Sequence, residues 1–277
     1  MRARPATLRH RALALPCVLA LGLLSACASG PAEPRMRLGS LPFPGLFSLY
    51  ATAEPGELGV HRYESWWDQT VRVGETSRGI MYTCRAGFVD LSHIRESMDW
   101  VRFMHDRVLE RLEHPERGFS PVDVVWSDTH FHLDVHCPEW LDALPTDERA
   151  RAAREVSIRF GQRAAVVMGA WHELATWYGQ ETVPGISEKR SAFTWDDSTS
   201  HAAAALAAGR ALRLPERNWN LAATQGLREQ LADMGVGSVA CETEAVKRVE
   251  GWWWSDGEPL KRDLDTGLDT GIKTPWQ

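Results

Sequence analysis

PTDERARAAREVSIRFGQRAAVVMGAWHELATWYG, residues 145–179, is the stretch on which the fold turns. Pro145-Thr146-Asp147-Glu148 reads as a helix start, with acidic side chains in the first turn where the helix dipole favours them. Helical spacing continues to Tyr178, and Gly179 suits a C-terminal cap. The span is long enough that Gly161 or Gly169 marks a bend or a close helix contact. His172 shares a face with Ala165, Met168, Gly169 and Thr176, all apolar or small. That spacing predicts a buried imidazole, and a buried imidazole needs a partner.

Upstream, a second helical pattern runs from Val89 to about Glu113. Val89, His93, Trp100 and Met104 share its face, and Val101, Val108 and Leu112 widen the stripe. Pro115 to Pro121 breaks it. Val122–Trp126 and Thr129–His136 alternate as two strands joined at Ser127-Asp128. Residues 58–84 mix Tyr63, Trp66, Trp67, Val71, Val73 and Ile80 with Gly and Thr, which suggests two or three short strands. Downstream, an Ala-rich helix is expected from about Asp196 to Leu212, capped by Asp196, Asp197 or Ser198. A shorter one covers Thr224–Met234. The tail offers Trp252-Trp253-Trp254, a turn at Asp256-Gly257, and two Asp-Thr-Gly units at 265–267 and 269–271. Those units echo aspartic proteases, but copies four residues apart in a polar tail read as turns.

The address is written in the first residues. Arg2, Arg4, Arg9 and Arg11 form a basic head, Ala12 to Leu24 an apolar run too short to span a bilayer, and Leu24-Ser25-Ala26-Cys27 a cleavage site. This layout resembles a bacterial lipoprotein signal, which implies that Cys27 is acylated and becomes the first mature residue. Ala28 after the cysteine implies delivery to the outer membrane, with the globular part facing the periplasm. The expected division is therefore a signal at 1–26, a Gly/Pro/Ala/Ser-rich tether at 27–48, and one globular domain at 49–277. Its expected class is α+β: mostly helical, with a small antiparallel sheet. The signal holds four of the 31 basic residues and no acid, leaving 27 against 37 and a formal charge of −10. An acidic surface argues against nucleic acid as a partner. The expected partners are the membrane, through lipid at Cys27, and an envelope component as ligand or substrate. Thirteen tryptophans serve the core before they serve a ligand platform.

Four groupings could carry chemistry. Trp171-His172-Glu173-Leu174-Ala175-Thr176 begins like the zinc-protease pattern His-Glu-x-x-His, but Thr176 stands where the second histidine belongs, so the protease reading fails. Asp90 and His93 lie three apart at a helix start and can face one point, or Asp90 can simply cap its helix. On a strand, His130, His132, Asp134 and His136 all point one way, as a polar face or a metal site. Cys84, placed just before a helix and beside Arg85, is an alternative nucleophile with His93 or His172 as base. A disulfide to Cys137 or Cys241 would exclude that last role.

The segments Gly79–Arg95, Trp171–Gly179 and Glu188–Asp197 are similar to a family of bacterial, envelope-associated proteins catalogued as domain of unknown function 4056, over roughly residues 45–250. The resemblance implies that the three segments share one domain; it implies no catalytic role. From the residues themselves, His93, His172 and Asp90 would hold a divalent metal, zinc first, with Glu173 or Asp90 as general base for a bound water. No nucleotide cofactor is indicated. The leading expectation is a metal-dependent hydrolase of the cell envelope. A non-catalytic envelope lipoprotein comes next, then a Cys84 thiol hydrolase.

Overall fold

The computed structural model describes residues 56, 58–62, 79–114, 122–126, 129–133, 138–181, 185, 187, 189–255 and 258–260. The signal, the tether and the candidate strands between 63 and 78 lie outside them. Among the described residues six helices dominate: α1 (Leu91–Glu113), α2 (Glu139–Asp142), α3 (Thr146–Tyr178), α4 (Asp197–Arg213), α5 (Trp219–Met234) and α6 (Val239–Arg248). Three antiparallel hairpins join them: β1 (Ile80–Thr83) with β2 (Gly87–Asp90), β3 (Val122–Trp126) with β4 (Thr129–Leu133), and β5 (Trp254–Ser255) with β6 (Glu258–Pro259). The class is α+β, mostly helical. No helix among the described residues is long and apolar enough to cross a membrane.

The long helix forms over the expected span, and Gly179 ends it at φ 105, where a side chain would be strained. Its two interior glycines are close-contact sites. A Cβ on Gly161 would lie 2.5 Å from the Val101 carbonyl oxygen of α1, and one on Gly169 would lie 2.6 Å from the His201 ring of α4. Missing side chains thus let α3 seat against α1 and α4. Met98, Val101, Met104, Ile158, Ala165, Met168, Ala204, Ala208 and Leu227 are among the buried residues that fill the core between α1, α3, α4 and α5.

Two sequence expectations are corrected. Val89 does not open the first helix; it lies in β2, and the helix begins at Leu91 once Asp90 caps it. Its apolar side chain fits either period, and pairing with Met81 settles the matter. The helix expected at Thr224 begins at Trp219, because Asn218 caps it by accepting from the Leu221 N–H at 3.1 Å. Helix α6 had no counterpart among the expectations. In the 122–136 hairpin, β4 is described to Leu133, and Asp134, His136 and Cys137 lie outside the described residues.

Hairpin β1–β2 has two working faces, as period-2 alternation requires. Met81 and Val89 pack on the helical core, while Ile80 and Phe88 pack with Val246 and Trp253 on the other side. Phe88 and Asp90, two apart, share that second face. The hairpin is anchored by Cys84 and Gly237, whose N–H groups donate to the Gly235 and Tyr82 carbonyls. Residues 58–62 are pinned more deeply: His61 Nε2 lies 2.5 Å from Asp99 Oδ1, which also accepts from the Trp219 indole at 3.1 Å.

Candidate metal centre

Asp90 closes β2 and caps α1, and its position follows from both duties. Its N–H donates to Ser200 Oγ at 2.8 Å, fixing the strand end to α4, and its Oδ1 accepts from the Ser92 N–H at 2.6 Å. The other oxygen, Oδ2, lies 3.2 Å from His93 Nδ1. The same His93 nitrogen, three residues on, faces a second carboxylate, with Asp197 Oδ1 at 3.6 Å. Nδ1 is buried and makes no directed hydrogen bond to either, although the ring as a whole stays 26% exposed.

Glu173 enters from α3 on the ridge Gly161, Ala165, Gly169, Glu173, the i, i+4 row that packs on its neighbours. Its Oε2 accepts the Phe193 N–H at 2.8 Å, and its Oε1 lies 3.8 Å from His201 Nε2. Phe193 holds a positive φ of 55, unusual for a bulky residue, and the strain aims its N–H at the carboxylate. Helix α4 supplies the rest. Asp196 Oδ1 accepts from the Thr194 hydroxyl at 2.7 Å, and Asp197 Oδ2 from the Thr194 N–H at 2.6 Å. His201, one turn beyond Asp197, is steadied by Ser97 Oγ at 2.7 Å from its Nδ1.

A common pattern joins these carboxylates. Each has one oxygen engaged by a neighbouring N–H or O–H, and Asp90, Asp197 and Glu173 turn the other toward a histidine. Such second contacts are of the kind that orient metal ligands. Among the described residues two groups could hold a metal ion, Asp90/His93/Asp196 and His93/Glu173/Asp197, and in each the candidate ligand atoms lie within 4.8 Å of one another.

The electrostatics follow from burial and crowding. Burial raises the carboxyl of Asp197 well above its ordinary value, and the neighbouring Glu173 and Asp196 add to it. Asp196 is pushed up to about 6 by burial and by Asp90. Burial alone would lower the His93 imidazole, but Asp90, Asp197 and Glu173 outweigh it and hold the ring well above its usual range. Glu173 goes the other way: burial opposes ionisation, yet His201, His172 and His93 keep its carboxyl low. The result is a confined excess of negative charge, which a proton or a cation relieves.

The structure gathers Asp90, His93 and Glu173 at one point. His172 belongs to neither ligand group; it is half-buried, flanking the contact ridge that carries Glu173. A face centred on His172 differs from one centred on Glu173 by a single residue, about 100° of helical turn. Cys84 is not at a helix end. It lies in the β1–β2 turn, exposed and unbridged, with strand β2 between it and α1, so the helix dipole does not act on it. Cys241 is likewise exposed and free. His130 and His132 pair with Val125 and Asp123 across the second hairpin. The sequence pattern accounts for Asp196 and Asp197 as helix caps and does not single out His201. The available signal was Asp197 and His201 at i, i+4, which share a helix face.

An α+β domain in which one hairpin and three helices converge on histidines and carboxylates is the class that this fold and site define. Within that class, the chain belongs to the family described as Protein of unknown function (DUF4056), whose profile matches residues 17–263. Comparison with curated proteins and with solved structures finds no match.

Proposed function

We propose that the protein is a metal-dependent hydrolase tethered in the bacterial cell envelope. The observation that carries this reading is the pair of ligand groups sharing His93, with each carboxylate already oriented through its second oxygen. One imidazole with two carboxylates is a mixed N/O set suited to Zn²⁺ or Mn²⁺. A bound cation would lower the pKa of a coordinated water and polarise the bond to be cut. Glu173 and Asp197, nearly sealed, form the floor of the site. Asp90, whose side chain keeps 11% exposure, lies beside the 26%-exposed His93, and its carboxylate would take a proton from water and return it to the leaving group. Water oxygen bonds to the electrophilic centre, the bond to the leaving group breaks, and the proton leaves with that group.

The envelope address rests on the Arg-rich head and Leu24-Ser25-Ala26-Cys27. A second reading, a non-catalytic lipoprotein, is supported by the same residues' structural duties. Ser200 ties Asp90 to α4, and Ser97 ties His201 to α1. Turnover separates the two. Purified full-length protein, stripped by chelator, is incubated with a cell-envelope fraction with and without Zn²⁺ or Mn²⁺, and released products are followed. Hydrolysis that requires the metal and disappears in Asp90→Asn supports the hydrolase. A protein that binds metal without releasing any product leaves the binding module as the correct reading.

A further inference from the structure

Beside the cluster lies a groove of about 490 Å³ lined by Tyr82, Ala86, Gly87, Phe88, Trp195, Ala245, Arg248 and Val249. Two separate chain segments connect it to the proposed metal centre. Phe88 and Asp90 share one face of β2, and Tyr82 pairs with Phe88 while Ile80 pairs with Asp90, so the groove floor and that ligand lie on one surface of the hairpin. On the opposite wall, Trp195 directly precedes Asp196. Its indole stacks on buried Trp253, with centroids 6.4 Å apart and planes within 6°, yet it remains 48% exposed. A large ring supported from beneath and open on one side is a wall prepared for contact.

The lining specifies the chemistry of the occupant. Among the described residues it is built mostly of aromatic rings and small aliphatic groups; its polar groups are the Tyr82 hydroxyl, the Trp195 indole N–H and the Arg248 guanidinium, the last paired with Glu244 at 3.2 Å. A sugar ring stacked on Trp195 needs hydroxyl partners around its rim and a peptide needs amide partners along its length, more than three polar groups supply; a hydrocarbon chain needs only the apolar area that dominates this lining. We infer that the groove takes the acyl or alkyl chain of the substrate, so that the bond cut at the metal centre belongs to a lipid-class molecule. The inference rests on the hydrolase reading for the cut and on the groove alone for the binding.

The test keeps those two apart. Binding of a fluorescent twelve-carbon fatty acid and of its four-carbon counterpart is measured on the metal-free full-length protein, where no turnover occurs. Zinc binding is measured in parallel by calorimetry. The long chain should bind at least tenfold more tightly than the short one. Trp195→Ala and the groove-filling Ala245→Phe should each weaken it about tenfold, while the melting profile and zinc titration stay those of the parent. With zinc present, 4-nitrophenyl octanoate should then be cleaved faster than the acetate. Equal affinity for the two chain lengths, or unchanged binding in both variants, overturns the groove assignment even if zinc binds. Long-chain binding without zinc binding keeps the groove and removes the hydrolase.

Discussion

Asp196 is a carboxylic acid pushed up to about 6 by burial and by the nearby Asp90, and the sign of its effect on stability follows. A carboxyl whose folded value exceeds its unfolded value favours the fold when protonated; that contribution is full below about 4 and is lost as pH rises through about 6. The metal-free protein is therefore penalised at neutral pH by this residue. Urea unfolding of the metal-free chain at pH 7 and pH 5, compared with Asp196→Asn, should show the parent gaining about 1 kcal/mol relative to the variant as the pH falls. With zinc bound the trend should reverse, because protons then compete with the cation for the same oxygens. A pH-independent difference would mean that Asp196 is solvated and takes no part in the cluster. His105 must be held outside that comparison, as burial lowers its imidazole to about 4 and it opposes acid stability in both proteins.

Among the elements, α3 and α4 do the positioning, and glycine sets how close they come. Gly169→Ala would place a methyl 2.6 Å from the His201 ring. The ring must then leave its place beside Glu173, and tight packing makes such a shift cost about 1–3 kcal/mol. Zinc affinity should fall more than the loss of melting temperature explains, whereas Gly161→Ala, against the Val101 backbone, should lower stability and leave the affinity of the folded protein alone. Equal effects of the two on both readouts would argue against a role for His201 in holding Glu173. These same elements show what a single sequence yields. The long helix, the 122–133 hairpin and the Ala-rich helix were legible because period and end signals agree over many residues. β2 was hidden because four residues cannot establish a period, and α6 because it buries only Glu242 and Val246. Of the site, Asp90, His93 and Glu173 were legible as residue types near helix ends. Asp196 and Asp197 were not, since acids at a helix start already have a sufficient explanation in the dipole. The choice of Glu173 over His172 as the buried group depends on helix rotation, which tertiary packing alone decides.

At the scale of the whole molecule, the proposed lipid anchor at Cys27 would hold the domain close to a membrane, where a substrate of the proposed lipid class would lie. Anchoring is open to a direct check: Cys27→Ala should release the protein from the membrane fraction or leave an unprocessed precursor, and a variant that fractionates and migrates like the parent would refute acylation. Everything proposed about chemistry, though, depends on a cation being held where α1, α3, α4 and β2 meet. Calorimetric titration of Zn²⁺ into chelator-stripped, full-length protein measures this most directly. The expected result is a saturable, stoichiometric binding isotherm that disappears in His93→Ala, the residue common to both ligand groups, with the folded variant confirmed by its cooperative melt. An isotherm indistinguishable from buffer, or one that His93→Ala leaves unchanged, would contradict it.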